Sequence, residues 1–402
     1  MTDIIDKIRA NNSLVLREVA LPAPRSLVNE IDWRDRLIGL WGPKGVGKTT
    51  LLLSKLNEMD PNQEALYVSL DHPIFASESL VELAEQFYKL GGSILLLDEV
   101  HKYDNWSAHL KAIYDSLPNL KVVFSGSSAL HLHKGRGDLS RRASMYKVPI
   151  LSFREFLGIE TKQSLSKWDL EEILSGDHEA LLTDEVLRLK PLKFFANYIA
   201  YGAYPFYQEG QARYYHKLTQ AINHTLESDL VFVHGLDARN SAKLKGVLSM
   251  VATSVPFVPK ISDIAQAIEL SRPTVTQYLN YLEEGGIISL LPPSGRGYSK
   301  LAKPEKIFLD NTNLLVALGR SLADIGTKRE TFAASQLREG GYRIEGHAEC
   351  VFIADGQHLL EIGGPNKIKS ARRVESLVHL ICDEIETGSK NEIPLWMLGF
   401  LY

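Results

Sequence analysis

The chain has 402 residues, enough for two to four domains, each with a buried core. Its 45% hydrophobic and 23% charged content is that of an ordinary soluble globular protein, and its formal net charge of -4 argues against a protein that coats nucleic acid non-specifically. Two cysteines, Cys350 and Cys382, build neither a disulfide framework nor a zinc site, and no apolar run approaches the roughly 18 residues of a membrane span. With acids rather than a signal pattern in Met1-Thr2-Asp3-Ile4-Ile5-Asp6, the expectation is a cytoplasmic chain with reduced thiols.

From Leu37 to about Leu151, short apolar runs alternate with helical stretches. The runs are Leu37–Trp41, Ala65–Leu70, Ile94–Leu97, Lys121–Phe124 and Tyr146–Ile150. This alternation predicts βαβ units, hence a parallel sheet covered by helices. Residues 152–258 carry no strand pattern and read as helices, with the aromatic stretch from Phe194 to Tyr201 as packed core.

Residues 259–310 change character. Ile261, Ile264, Ala265 and Ile268 mark one face of a short helix, and Ser271 with Pro273 starts a second that buries Val275, Leu279 and Leu282 before Gly285-Gly286. Strands Ile287–Leu291 and Lys306–Leu309 then flank a Pro/Gly tip. Helix, turn, helix and hairpin predict a winged helix-turn-helix. Residues 311–402 read as helix, strands Val351–Ala354 and Leu359–Ile362, then mixed α/β to an apolar end, Leu395 to Leu401, that should be docked.

Residues 42–49 complete a Walker A motif between a strand and a helix, as that motif requires. Gly42, Gly45 and Gly47 let the backbone curl so that N–H groups converge on phosphate, and Pro43, Lys44, Val46 and Thr50 fill out the loop. Lys48 is expected at the β and γ phosphates and Thr49 at magnesium. Ser93 to Glu99 form a Walker B, a buried strand ending in two acids. Asp98 suits the metal and Glu99 the activation of water, and their order points to an additional-strand ATPase. The cofactors expected are therefore ATP and Mg2+. The next strand ends at Ser125-Gly126-Ser127-Ser128, where Ser127 is the candidate reporter of the γ-phosphate. A basic cluster follows, Lys134, Arg136, Arg141, Arg142 and Lys147, from which an arginine can neutralise transition-state charge. His131 and His133 have metal-ligand types but no further ligands near them in sequence, so no zinc site is expected.

Together these motifs resemble a family of prokaryotic AAA+ ATPases near the archaeal-ATPase and STAND groups. Its loop after Walker B looks like Asp98 to Lys102, its Gly-Ser-Ser turn like Gly126-Ser127-Ser128, and its arginine with Ser-Phe-x-Glu-Phe like Arg142 with Ser152 to Phe156. The lid motif is altered to Gly202-Ala203-Tyr204-Pro205, and Glu361 to Lys367 with Ile393 to Trp396 look like one subgroup. The resemblance implies a P-loop ATPase domain over 1–151, a helical lid over 152–258, the winged helix over 259–310 and a restriction-endonuclease-like domain over 311–402. It also implies Arg142 at the nucleotide, in cis or across a subunit interface. In the last domain Glu349 and Glu361 fall at the acid positions, but Gly363 stands at the lysine position and Lys367 lies beyond a turn, so no nuclease activity is expected. Glu330 is expected as an exposed helical residue.

Two functions of different class remain open on the sequence. One is an ATP-driven switch or motor that assembles and couples hydrolysis to DNA or protein engagement. The other is an ATP-gated, DNA-binding regulator with little turnover. Duplex DNA would be met by Arg272, Thr274, Thr276, Gln277 and Asn280 on the second helix and by Arg296, Lys300 and Lys303 on the wing. A homo-oligomer or a protein partner is the other expected contact, and no membrane.

Overall fold

A computed structural model describes residues 2–18, 25–59, 64–128, 139, 141–176, 181–254, 260–294, 303–319, 324–347, 350–364, 378–389 and 392–402. The chain divides into two compact units, Met1–Val148 and Pro149–Tyr402.

The first unit is a five-stranded parallel sheet of β1 (Leu37–Gly42), β2 (Ala65–Ser69), β3 (Ile94–Asp98), β4 (Lys121–Ser127) and β5 (Ser144–Lys147), in the order β2-β3-β4-β1-β5. Its strands are apolar throughout because helices cover both faces: Leu95, Leu96 and Leu97 are wholly buried. β4 pairs with both β1 and β3, so one strand separates the two motif strands, as the order of the two acids predicts. Helix α1 (Thr2–Glu18) is followed by α2 (Lys48–Met59), α3 (Leu80–Lys89) and α4 (Trp106–Ser116). α3 shows how the sequence builds them. The Ser79 side chain accepts from Glu82 N at its start, and Leu80, Leu83, Ala84 and Phe87, spaced i, i+3, i+4 and i+7, are buried.

The fifth strand starts and ends earlier than the apolar run at Tyr146–Ile150 predicts. It pairs from Ile38↔Ser144 to Trp41↔Lys147, Val148 N donates once more to Trp41 O at 2.7 Å, and Pro149 has no N–H with which to continue.

The second unit begins with helices. Phe195 and Tyr198 are core, as the aromatic stretch predicts, and the chain from Tyr198 to Gly202 makes a π turn. The helices Ile261–Ala267 and Arg272–Glu284 follow, the second capped by Ser271, whose side chain accepts from Thr274 N. β6 (Ile288–Leu291) and β7 (Lys306–Leu309) then pair antiparallel. Five further strands, β8 (Ile344–Gly346), β9 (Phe352–Ala354), β10 (His358–Gly363), β11 (Val378–Cys382) and β12 (Glu392–Pro394), form a mixed sheet ordered β12-β11-β10-β9-β8. The apolar end is docked: Trp396, Met397, Leu398 and Phe400 are wholly buried, and Phe400 stacks on Trp168 at 4.1 Å between ring centroids. Among the described residues no helix is long and apolar enough to cross a membrane.

Candidate functional site

All five parallel strands of the first unit end on one edge of the sheet, and the Walker motifs lie there. β1 must end in glycine, because a Cβ on Gly42 would sit 2.2 Å from the Val148 carbonyl oxygen. Gly45 and Gly47 have φ of 89° and 99°, the left-handed region where other residues are strained, and α2 starts at once with Lys48. The loop wraps the Lys48 ammonium, which donates to Gly42 O at 2.8 Å and Pro43 O at 2.9 Å while the side chain is buried. From before the sheet, Arg25 Nη1 donates to Val46 O at 2.9 Å and ties the loop down.

β3 delivers Asp98 to the same edge, only 2% exposed. Its Oδ2 accepts from Thr49 Oγ1 at 2.7 Å and from Tyr67 OH at 2.9 Å, while its Oδ1 accepts from Ser125 Oγ and from Glu99 N at 3.1 Å. Burial, reinforced by the Asp98 charge, pushes the Tyr67 hydroxyl well above its ordinary range, so it remains a donor at every working pH. Glu99 follows in a left-handed conformation (φ 54°, ψ 41°), which non-glycine residues adopt uncommonly. A 3-10 turn over Val100–Lys102 comes next, and His101 Nε2 lies 3.5 Å from Glu99 Oε2.

Ser127 ends β4 level with Gly42 in register. Its hydroxyl and that of Ser128 are buried and have no hydrogen-bond partner among the described residues. Buried hydroxyls are otherwise almost always satisfied.

Arg142 is not brought to this loop. It lies two residues before β5, whose first residue Ser144 pairs with Ile38, four residues and ~13 Å of strand before Gly42. There its Nε and Nη2 grip Asp115 at 3.0 and 3.2 Å. Because β5 runs parallel to β1, its entry, and Arg142 with it, is at the opposite end of the sheet from the loop. Lys147, at the exit of β5, is the described member of the basic cluster on the loop side, 5.7 Å from the Trp41 ring. Lys134, Arg136, His131 and His133 lie outside the described residues.

In the second unit, Glu361 is on β10, while Glu349 and Lys367 lie outside the described residues. Glu330 is not the exposed helical residue expected: its side chain is 15% exposed and pairs with Lys306 Nζ at 3.1 Å, because the adjoining strand β7 begins with that lysine. Arg329 lies against Gly364 and binds Asp383 at 2.7 Å and Glu384 at 2.8 Å. On the helix Arg272–Glu284, Arg272 and Gln277 are exposed, whereas Arg296 and Lys300 lie outside the described residues.

The fold and this edge define a P-loop domain of the AAA+ class, and comparisons agree. The model of an AAA domain matches residues 34–157, and that of a domain of unknown function (DUF8612) matches residues 192–328. No protein of curated function matches the chain. Among solved structures, the chain is similar to the Orc1 protein of Aeropyrum pernix in complex with DNA, at 15% identity over 79% of this chain and 92% of that one, with a TM-score of 0.33. It is also similar to AMPPCP-bound DnaA from Aquifex aeolicus (15% identity, 69% and 88% covered, TM-score 0.25). A third is the S. cerevisiae Hsp104–ADP complex (18% identity, 68% and 41% covered, TM-score 0.32). The class rests on the domain match and the sheet, not on these distant likenesses.

Proposed function

We propose that the chain is a magnesium-dependent ATPase whose turnover drives a conformational switch. The observation that carries this reading is the 2.7 Å hydrogen bond between Thr49 and Asp98 at the mouth of the glycine-rich loop, with Glu99 next in sequence. A hydroxyl and a carboxylate side by side are hard oxygen donors of the kind Mg2+ takes, together with phosphate oxygens. Bound there, the ion would neutralise charge on the β and γ phosphates. Lys48 and the loop N–H groups would hold the phosphates, Glu99 would take the proton of the attacking water, and Ser127, level with Gly42 in register, is the candidate to report the γ-phosphate. Phosphate release from ATP should therefore require Mg2+ and stop in EDTA. ATP binding without measurable release would favour the second reading, an ATP-gated regulator.

Arg142 can serve catalysis only across a subunit interface. On that reading, specific activity rises with protein concentration, and mixing Arg142→Ala with Lys48→Ala protein restores part of the activity. Rates independent of concentration in a monomer would exclude it.

The segment 259–310 is read as a winged helix that engages duplex DNA, supported by exposed Arg272 and Gln277 on its second helix and exposed Lys303 past the tip. Arg272→Ala should weaken duplex binding at low salt and reduce its salt dependence by about one counterion. Unchanged binding, or none in the native chain, would favour a protein partner.

The domain read over 311–402 is proposed to lack nuclease activity, since Gly363 and Gly364 present no ammonium and Lys306 neutralises Glu330. Supercoiled, linear and single-stranded DNA should survive Mg2+ or Mn2+. Cleavage lost in Glu361→Ala but not in Lys48→Ala would overturn this.

A further inference from the structure

We infer that His101 is the positioning residue for the Glu99 carboxylate, an inference that rests on the ATPase reading above. Glu99 has three side-chain torsions, is 19% exposed, and would lose up to ~2 kcal/mol of rotamer freedom if held in one place. A general base that wanders is a poor one, because a displacement of about 1 Å can cost on the order of 10²-fold in rate. The backbone supplies the remedy. Residues two apart do not face each other on a regular helix, but a left-handed residue followed by a 3-10 turn reverses the chain. Lys102 N donates to Glu99 O at 2.9 Å and Tyr103 N to Val100 O at 3.1 Å, which turns His101 back over Glu99. The imidazole is 1% exposed and therefore fixed by its surroundings, with Nε2 3.5 Å from Glu99 Oε2. An immobile nitrogen thus limits the sweep of a mobile carboxylate. It also explains why a strained φ is kept at Glu99: a right-handed residue there would carry His101 away from it.

The test uses the full chain and compares His101→Leu with His101→Gln, whose side-chain amide can place a nitrogen near the position of Nε2. His101→Leu should lower kcat for ATP by about 10- to 100-fold with KM within about twofold, and His101→Gln should recover most of the loss. ATP affinity, read separately by calorimetry, should be unchanged in both. In a Glu99→Gln background, His101→Leu should cost nothing more in single-turnover rate, since the group it positions is gone. Native kcat in His101→Leu, no recovery in His101→Gln, or losses that multiply in the double variant would each overturn the inference while leaving the ATPase reading intact. A native chain that binds ATP but releases no phosphate would overturn both.

Discussion

Glu99→Gln protein should bind ATP as the native chain does and turn it over about 10²–10⁴-fold more slowly, the usual contribution of a positioned general base. The substitution changes one oxygen to an amide nitrogen on a side chain that forms no part of the phosphate loop, so affinity has no reason to fall. Lys48→Ala should fail at the earlier step. Its ammonium is the buried cation at the loop, and a hydrogen bond to a charged group contributes about 1.5–3 kcal/mol, so ATP affinity should fall by about 10- to 100-fold. The same substitution strips Gly42 O and Pro43 O of a donor, so the empty loop itself should loosen. Calorimetric ATP titration beside phosphate release separates the two variants. Undiminished release from Glu99→Gln would remove that residue from the mechanism.

Much of this site was legible in the sequence because its chemistry is local. Glycines, lysine and threonine at fixed spacing describe a loop that closes on itself, and an apolar run ending in two acids describes a buried strand tip. What the sequence did not disclose depends on which strands become neighbours. Tyr67 reaches Asp98 only because β2 lies beside β3, and Ser125 only because β4 lies on its other side. Nothing in the spacing of Tyr67 from Asp98 announces the contact. A single polar-tipped aromatic near the end of a strand next to Walker B was the available hint. Arg25 acts from before the first strand, where no pattern marks it. For Arg142 the sequence left open whether it acts in cis or across a subunit interface, and its pairing with Asp115 appears only once α4 and the entry of β5 are placed in the fold. His101 was in plain view in the loop after Walker B, but its meaning needed the left-handed turn at Glu99.

Asn313→Ala should strongly destabilise the second unit. Asn313 is wholly buried, at the start of the helix Thr312–Gly319, and uses both ends of its amide. Nδ2 donates to Tyr198 O and Ile199 O, each at 2.9 Å, while Oδ1 accepts from Ala203 N at 2.8 Å and from Tyr214 OH. These partners lie on or beside the π turn at Tyr198–Gly202, where i→i+5 pairing disturbs the regular ladder. The turn is also locked by packing: a Cβ on Gly202 would approach Tyr198 to 2.7 Å and Phe156 to 2.9 Å, so it cannot easily relax. Removing the amide therefore strands two carbonyls, one N–H and one hydroxyl away from water. At about 1–3 kcal/mol for each buried group left unsatisfied, partial relaxation still leaves an expected loss of about 4 kcal/mol or more. That is a large share of the roughly 5–15 kcal/mol by which domains are stable. Asn313→Asp should do no better. It keeps the acceptor but sets a carboxylate against the carbonyls of Tyr198 and Ile199, where only a donor is tolerated. Urea denaturation of the three proteins is the measurement. A loss below about 1 kcal/mol in Asn313→Asp would show that the donor half of the amide contributes little to holding the π turn.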